Sequence, residues 1–371
     1  MNKFKTFIFL SPLLFILLLG ASCNSSNDGG IFMSLDQAQT WEQKNLAGYT
    51  SGSFFSKSQP ITNNGINVSK IVQDSNNPDT IYYGSYGNGI YKTTDKAELW
   101  ALTGLTSGNI NDLAINKADP TIIFAAQDQN IIRSVDSGET WEIIHTDPEN
   151  QLITSIVLDW YNTENIFATS QNGSIIKSSD SGDNWNIIYQ ETEPLIDLAI
   201  DYYDSRIIYV INEDEELLKT SNSGEEWVIL TDKDFYKDGS WPFTKKGILS
   251  ITTDPSNTNK VFAVSNAGIA VSSNAGDTWD IVNTLIPLED TKNKSISNIT
   301  IHPENSKIVY FTVDNIIHKS IDGGKNWQTI ETFPSARLIT SLMIDQDNQD
   351  LIFAGTREAE KKGGFVTHDT E

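Results

Sequence analysis

The fold is decided by the stretch Ser134-Val135-Asp136-Ser137-Gly138-Glu139-Thr140-Trp141, which recurs with variations along almost the whole chain. Its consensus is Ser/Thr-x-Asp/Asn-x-Gly/Ala-x-x-Trp, and the seven copies occupy residues 34–41, 93–100, 134–141, 178–185, 220–227, 272–279 and 320–327. Their third and eighth positions are Asp36, Asp95, Asp136, Asp180, Asn222, Asn274 and Asp322, and Trp41, Trp100, Trp141, Trp185, Trp227, Trp279 and Trp327. The tryptophans recur at intervals of 41 to 59 residues, and a self-similar period of this length predicts a repeat architecture.

Each residue type in the stretch is explained by a tight turn between two strands. Apolar pairs flank the turn, as in Ile131-Ile132 before it and Ile143-Ile144 after it. The Asp or Asn can accept backbone N–H bonds inside the turn, and the Gly tolerates a positive φ. The Trp can pack beneath the turn while its indole N–H donates to a carbonyl. We therefore interpret the seven Asp and Asn residues as structural.

The stretch resembles the Asp-box, or BNR, repeat of sialidases, sortilin-type receptors, xyloglucanases and photosystem II assembly-factor propellers. The resemblance covers almost everything after residue 33. It implies a β-propeller and says little about function, because the same repeat occurs in enzymes, receptors and assembly factors.

A second repeated phrase lies upstream of the later boxes and consists of two apolar strands joined by a turn. One copy runs from Leu198-Ala199-Ile200-Asp201 to Ile207-Ile208-Tyr209. Phrase and box together give four antiparallel strands per unit, which is one propeller blade. Seven phrases predict an all-β fold, a seven-bladed β-propeller of four-stranded antiparallel blades, as a single domain over residues 34–371.

The ends of the chain indicate how the ring closes. The first box precedes the first phrase, and the last phrase, which begins at Leu342, lacks a complete box. We predict that the N-terminal segment donates an outer strand to this last blade, since closure removes free sheet edges. Thr367-His368-Asp369 resembles the start of another box, so an eight-bladed ring with an incomplete blade is the alternative.

The first 22 residues have the proportions of a signal peptide. Lys3 and Lys5 precede an apolar stretch at 7–19, which is short for a membrane-spanning helix. The single cysteine, Cys23, follows small residues that resemble a bacterial lipobox, although Gly20 stands where Leu is preferred. We predict that Cys23 is lipidated, that residues 23–33 form a flexible tether, and that the protein is exported and anchored to the outer side of the bacterial cell membrane. An ordinary signal peptide with an incidental cysteine is the alternative.

The composition of the chain limits the classes of partner that we expect. The chain has 49 acidic and 26 basic residues and a formal net charge of -23. Such a surface repels nucleic acid and anionic lipid headgroups, so we expect a monomer that binds protein or glycan outside the cell and meets the membrane only through its lipid anchor. The four histidines lack ligand spacing and no nucleotide-binding glycine motif is present, so we expect no metal and no cofactor.

The loop at residues 231–246 is the strongest candidate for a ligand site. It departs from the repeat and carries four aromatic residues and several carboxylates, from which we select Phe235, Tyr236, Asp238, Trp241 and Phe243. It lies on the predicted face opposite the boxes, where the longer loops emerge. The aromatic residues can stack on sugars or anchor a protein, or the loop can fold over them as a cap. Trp160 lies in a turn on the box side, and we interpret it as a packing residue.

The sequence supports an enzymatic function less well than a binding function. A sialidase needs three arginines to grip a carboxylate, whereas this chain has four in all, of which Arg133 and Arg206 occupy structural positions. A xyloglucanase-type hydrolase needs two carboxylates across a cleft, and such enzymes generally enclose that cleft between two propellers. We therefore predict a binding or assembly scaffold. A glycoside hydrolase with its site opposite the boxes is the alternative, and a purely structural envelope protein is a third reading.

Overall fold

The computed structural model describes residues 28–51, 58–230, 248–265, 268–282 and 296–359. Within these ranges the chain forms strands, turns and loops, and it contains no helix long and apolar enough to cross a membrane. The strands build seven four-stranded sheets and one two-stranded sheet. The prediction of an all-β, seven-bladed propeller is confirmed, and the eight-bladed alternative is wrong.

The strands are numbered in chain order. The chain opens with β1 (Ile31–Ser34) and β2 (Glu42–Gln43), and a two-stranded sheet follows, formed by β3 (Leu46–Tyr49) and β4 (Pro60–Thr62). Blade 1 contains β5 (Val68–Gln73), β6 (Ile81–Ser85), β7 (Ile90–Thr93) and β8 (Ala101–Leu102). Blade 2 contains β9 (Ile110–Ile115), β10 (Ile123–Gln127), β11 (Asn130–Ser134) and β12 (Glu142–Thr146). Blade 3 contains β13 (Ile153–Leu158), β14 (Ile166–Ser170), β15 (Ser174–Ser178) and β16 (Asn186–Gln190).

The remaining blades follow the same order. Blade 4 contains β17 (Leu195–Ile200), β18 (Ile208–Asn212), β19 (Leu217–Thr220) and β20 (Val228–Ile229). Blade 5 contains β21 (Ile248–Thr253), β22 (Val261–Ser265), β23 (Gly268–Ser272) and β24 (Asp280–Val282). Blade 6 contains β25 (Ile296–His302), β26 (Asn305–Val313), β27 (Ile316–Ser320) and β28 (Gln328–Ile330). Blade 7 combines β29 (Leu338–Ile344) and β30 (Ile352–Arg357) with β1 and β2.

The innermost strand of each blade faces a central channel. These seven strands contact one another in the cyclic order β5, β9, β13, β17, β21, β25, β29 and back to β5. The second strand of a blade is buried on both faces by the neighbouring blades, as in β6, β14 and β18, where every residue is buried. These strands therefore form continuous apolar runs rather than alternating ones.

The N-terminus closes the ring by adding two strands to blade 7, where we expected one. β1 pairs antiparallel with β30 from Ile31 opposite Gly355 to Ser34 opposite Ile352, and β2 pairs with β1. The tether predicted for residues 23–33 is too long, because Gly30 is buried and residues 31–33 belong to β1. Pairing with β30 satisfies backbone groups that a tether would leave to solvent.

A buried arginine fixes this closure. The side chain of Arg337 is 5% exposed, and its Nε donates to Asp28 Oδ1 at 3.2 Å. Its Nη1 donates to Gly65 O at 3.2 Å, and its Nη2 donates to Glu358 Oε1 at 3.3 Å. One guanidinium thus joins the N-terminal entry of the chain, the connection into blade 1 and the end of β30.

The seven boxes form one repeated turn. In the copy at 134–141, Ser134 Oγ accepts the Gly138 N–H at 2.8 Å and donates to Asp136 Oδ1 at 2.8 Å. Asp136 Oδ1 also accepts the Thr140 N–H at 2.9 Å, and Trp141 Nε1 donates to Gly138 O at 3.1 Å. The fifth position has a positive φ throughout, including 72° at Ala38, where glycine is absent. These aspartates are engaged in the turn.

Replacing Arg337 should loosen the closure. Arg337→Ala removes the hydrogen bonds to Asp28, Gly65 and Glu358, and we expect a loss of about 1–3 kcal/mol in the free energy of unfolding, measured by urea denaturation. Arg206→Ala is the matched control, because that side chain is 68% exposed and pairs with Asp204 on the surface. A midpoint unchanged in both variants would contradict the role assigned to Arg337.

The boxes also predict a response to acid. A hydrogen bond from the Thr140 side chain lowers the pKa of Asp136, and one from the Asn326 side chain lowers the pKa of Asp322 to about 2 from its ordinary value of 3.8. A lowered folded-state pKa stabilises the fold above about pH 4, and this contribution is lost as the pH falls towards 2. Asp136→Asn should therefore show a smaller fall in thermal midpoint between pH 5 and pH 2.5 than the wild type.

The control for this experiment lies in the same box. Glu139→Gln removes one charge without changing the hydrogen bonds among Ser134, Asp136 and Thr140. We expect it to follow the wild-type pH profile. Identical profiles for Asp136→Asn and the wild type would show that the box carboxylate contributes no acid sensitivity.

Candidate binding site

The central channel encloses a cavity of about 820 Å³, which is large enough for a small ligand or a side chain of a partner. Its lining comes from the innermost strands and from the turns that follow them, which connect the first and second strands of each blade. We call these connections the inner turns. They lie on the same side of the disc as the boxes, because both connections follow strands that run in the same direction.

The deepest level of the cavity is a ring of polar side chains. Six of them line the cavity from the third position of their innermost strand: Lys70, Asp112, Ser155, Asp197, Ser250 and Asn298. The equivalent residue of blade 7 is Ser341, the fourth residue of β29. A β-bulge at this point interrupts the pairing of each innermost strand with the second strand of its blade. A bulge leaves backbone groups outside the sheet ladder, so they need other partners.

The ring supplies those partners across the gap between blades. Asp112 Oδ2 in blade 2 accepts the Ile156 N–H of blade 3 at 3.1 Å, and Asp197 Oδ2 in blade 4 accepts the Ile251 N–H of blade 5 at 3.1 Å. Ser341 Oγ in blade 7 accepts the Ile71 N–H of blade 1 at 3.0 Å. The polar ring therefore joins adjacent blades.

The ring also carries the charges of the channel. Lys70 Nζ lies 3.1 Å from Asp112 Oδ1, and the Lys70 side chain is 44% exposed to the cavity. The charge of Asp112 raises the pKa of Lys70, and burial raises the pKa of Asp197. Both oxygens of Asp112 and of Asp197 accept backbone N–H groups. Two carboxylates thus share one channel, but each is already engaged in holding the bulges.

The wall above the ring is mostly apolar. It consists of Val72, Ala114, Val157, Ala199 and Thr252, at the fifth position of their innermost strands, and Met343, the sixth residue of β29. This wall separates the polar ring from the mouth of the channel, so a ligand that reached the ring would pass through a largely apolar section.

In each blade, the mouth is formed by the residue that follows the Asp, Asn or His at the end of the innermost strand. These residues are Ser75, Lys117, Trp160, Tyr202, Pro255, Pro303 and Gln346. The Trp160 and Tyr202 rings lie 4.4 Å apart between centroids, and Lys117 Nζ lies 5.0 Å from the centre of the Trp160 ring. Burial raises the pKa of Tyr202, so its hydroxyl stays protonated at neutral pH.

Two adjacent inner turns carry aromatic pairs, Trp160-Tyr161 in blade 3 and Tyr202-Tyr203 in blade 4. We call these four residues the turn patch. Tyr161 is 69% exposed and Tyr203 is 50% exposed. All seven inner turns belong to the described part of the chain, and the other five have no aromatic residue at these two positions.

The turn backbone explains this display. Asp159 Oδ1 accepts the Tyr161 N–H at 2.9 Å, and Asp201 Oδ1 accepts the Tyr203 N–H at 2.8 Å. In blade 6 the same position is His302, whose Nδ1 accepts the Glu304 N–H at 3.1 Å. The acceptor fixes the turn, and the two residues after it are free to vary.

The sequence-based site and the structural one differ. Phe235, Tyr236, Asp238, Trp241 and Phe243 lie in 231–247, outside the described residues, as does Cys23. Trp160 lies on the box side, as the sequence predicted. It packs against the core, and it also lines the mouth of the channel. Tyr161, Tyr202 and Tyr203 were missed, and the available signal was their departure from the Asn, Pro and Ser usual in the inner turns.

The described arginines contact structural partners. Arg133 donates to Asp183 Oδ1 and to Ser181 O in the box of the next blade, at 2.9 and 2.8 Å. Arg337 is engaged at the closure, so among the described residues these arginines have separate structural partners. Across the described ranges, no group of three or more His, Cys, Asp or Glu side chains is placed to hold a metal ion.

Fold and boxes together define the chain as an Asp-box β-propeller. A family model described as sortilin, neurotensin receptor 3, matches residues 129–267. No curated protein sequence matches the chain.

Solved propellers resemble the chain in fold. YCF48 bound to a D1 peptide has a TM-score of 0.58 at 13% identity over 78% of this chain and 93% of that one. YCF48 from Cyanidioschyzon merolae has a TM-score of 0.57 at 12% identity over 78% and 95%. The GH74 xyloglucanase from Xanthomonas campestris has a TM-score of 0.63 at 13% identity over 86% of this chain. This chain spans only 52% of that enzyme. At these identities the likeness is one of fold.

The polar ring predicts a stability effect at Asp112. Asp112→Ala removes the acceptor of the Ile156 N–H and the Ser155 hydroxyl, so we expect a loss of about 2–4 kcal/mol in the free energy of unfolding. Asp347→Ala is the matched control at the exposed mouth and should leave the urea midpoint unchanged. Equal midpoints for Asp112→Ala and the wild type would contradict the structural role of the ring.

Proposed function

We propose that the protein is an exported, lipid-anchored binding propeller that holds a protein or glycan partner outside the cell. One observation carries this proposal: the turn patch exposes tyrosines beside an open cavity, while the channel carboxylates serve the backbone. Exposed aromatic residues around a concave opening are typical of recognition surfaces.

The comparisons support binding over catalysis in one respect. The YCF48 structure with a bound D1 peptide is covered almost completely by this chain, whereas only about half of the xyloglucanase is. That structure therefore shows a chain of similar extent in complex with a peptide. This favours a polypeptide partner here.

The geometry of the N-terminus supports an orientation for the anchored protein. Asp28 contacts Arg337, which precedes β29 on the face opposite the boxes. Residues 24–27 link Asp28 to Cys23, and a chain of this length spans at most about 17 Å. An acyl chain on Cys23 would hold that opposite face near the membrane, so the turn patch would point away from it.

A glycoside hydrolase of the xyloglucanase or BNR type is the second candidate. The observation in its favour is that Asp112 and Asp197 share the channel, with the pKa of Asp197 raised by burial and Lys70 beside Asp112. Such unequal carboxylates are what acid–base hydrolysis uses. The evidence against a hydrolase is that both carboxylates already accept hydrogen bonds from backbone N–H groups.

The anchor is tested by one substitution. Cys23→Ser should move the protein from the membrane fraction to the soluble exported fraction, while a wild-type control stays with the membrane, as followed by immunoblotting of fractionated cells. Retention of Cys23→Ser in the membrane fraction would contradict lipidation at this residue.

Binding and hydrolysis are tested together on glycan and peptide arrays, followed by a reducing-sugar assay on xyloglucan. We expect binding to at least one array and no sugar release by the wild type. Trp241→Ala reports on the loop at 231–246, since loss of glycan binding in that variant would place a sugar site there. Sugar release that Asp197→Asn abolishes would favour the hydrolase instead.

A further inference from the structure

The turn patch lies within an acidic part of the box face. The Ser181 N–H of the blade 3 box donates to Glu164 O of the blade 3 inner turn at 3.0 Å, and the Ser223 N–H of the blade 4 box donates to Arg206 O at 3.0 Å. Each inner turn is thus hydrogen-bonded to the box of its own blade. The boxes and the turn patch form one continuous surface.

The boxes on this surface carry charge of one sign. The boxes of blades 2 to 4 contain no Lys or Arg, and their carboxylates are Asp136, Glu139, Asp180, Asp183, Glu225 and Glu226. Glu139, Asp183, Glu225 and Glu226 are exposed. A surface of this kind raises the local concentration of cations and speeds their association.

The basic groups near the turn patch are already paired. Lys117 lies over the Trp160 ring, and Arg206 makes two hydrogen bonds to Asp204, each 2.7 Å long. Arg133 is held by Asp183 and Glu142. Arg133 and Arg206 offset the carboxylates that they contact, so the remaining negative charge of the boxes comes mainly from Glu139, Glu225 and Glu226.

The aromatic residues divide into two roles. Trp160 and Tyr202 pack against each other in a tilted arrangement, and Lys117 lies over the Trp160 ring, which fixes this pair at the mouth of the channel. Tyr161 and Tyr203 are the exposed members, and each follows a half-buried ring, Trp160 or Tyr202, directly in the chain. Exposed tyrosine rings beside carboxylates suit a guanidinium or an ammonium group, which stacks on the ring while it pairs with the acid.

We propose that the turn patch is the docking site for a basic polypeptide segment, with arginine or lysine side chains of the partner placed over Tyr161 and Tyr203. The proposal rests on the proposed binding function and not on the lipid anchor. Charge complementarity selects this partner, because the acidic boxes of blades 2 to 4 repel an acidic one and give no advantage to a neutral glycan.

The test is a titration of purified protein with fluorescent deca-arginine in 150 mM salt, where nonspecific attraction to an acidic protein is screened. We expect Tyr161→Ala combined with Tyr203→Ala to weaken binding by about tenfold or more, since two cation–aromatic contacts are lost. Both side chains are largely exposed, so thermal unfolding should show the variant to be as stable as the wild type.

Two controls make the result specific. Tyr161→Phe combined with Tyr203→Phe keeps both rings and should retain the wild-type affinity. Tyr49→Ala removes a tyrosine of similar exposure, 62%, from the β3–β4 hairpin and should also bind as the wild type does. Deca-glutamate should not bind.

Several outcomes would overturn the proposal. One is an affinity for deca-arginine that the double alanine variant leaves unchanged, and another is an equal loss in the double phenylalanine variant. Tyrosine-dependent binding of a xyloglucan heptasaccharide would also overturn it, while leaving the proposed binding function intact. If neither deca-arginine nor any array ligand binds, both this proposal and the proposed binding function are wrong.

Discussion

The structure depends on the pairing of β1 with β30, because this is where a linear repeat becomes a ring. Until that pair forms, blade 7 has only its two inner strands, and blades 1 and 6 each lack the full surface of a neighbour. Four residue pairs from Ile31–Gly355 to Ser34–Ile352 complete the sheet. Arg337 then ties this closure to the segment that enters blade 1. The contacts are few, but each joins residues about 300 positions apart.

Within the ring, the blades are joined by two kinds of contact that repeat with the sequence. At the centre, Asp112, Asp197 and Ser341 accept bulge N–H groups from the next blade. Farther out, a basic residue of the third strand reaches the box of the next blade, as Lys92 reaches Ser137 O at 3.2 Å and Lys219 reaches Asp277 at 3.3 Å. A box therefore forms a turn within its own blade and also accepts a hydrogen bond from a basic side chain of the preceding blade.

The fold could be predicted from the sequence because a box is a local structure. The hydrogen bonds that shape its turn lie within eight residues, so the sequence at 134–141 specifies the turn, and its repetition specifies the blade. The ring at the channel could not be predicted in the same way. Asp112 and Asp197 differ from Ser155 and Ser250 by their charge, but their role depends on bulges and on residues more than 40 positions away. The turn patch depends likewise on the meeting of two separate inner turns.

The net charge of the chain was visible from composition, but its consequence for recognition depends on where the basic residues are used. Arg133, Lys92 and Lys219 point from one blade into the next, and Lys70 lies inside the channel. These cations join the blades and offset only the carboxylates that they contact, such as Asp183 and Asp277. The exposed carboxylates of the boxes then face solvent unopposed, as at Glu139 and Glu225. The acidity of the box face thus follows from the excess of carboxylates in the chain together with the use of these cations between blades, and the proposed basic partner depends on that acidity.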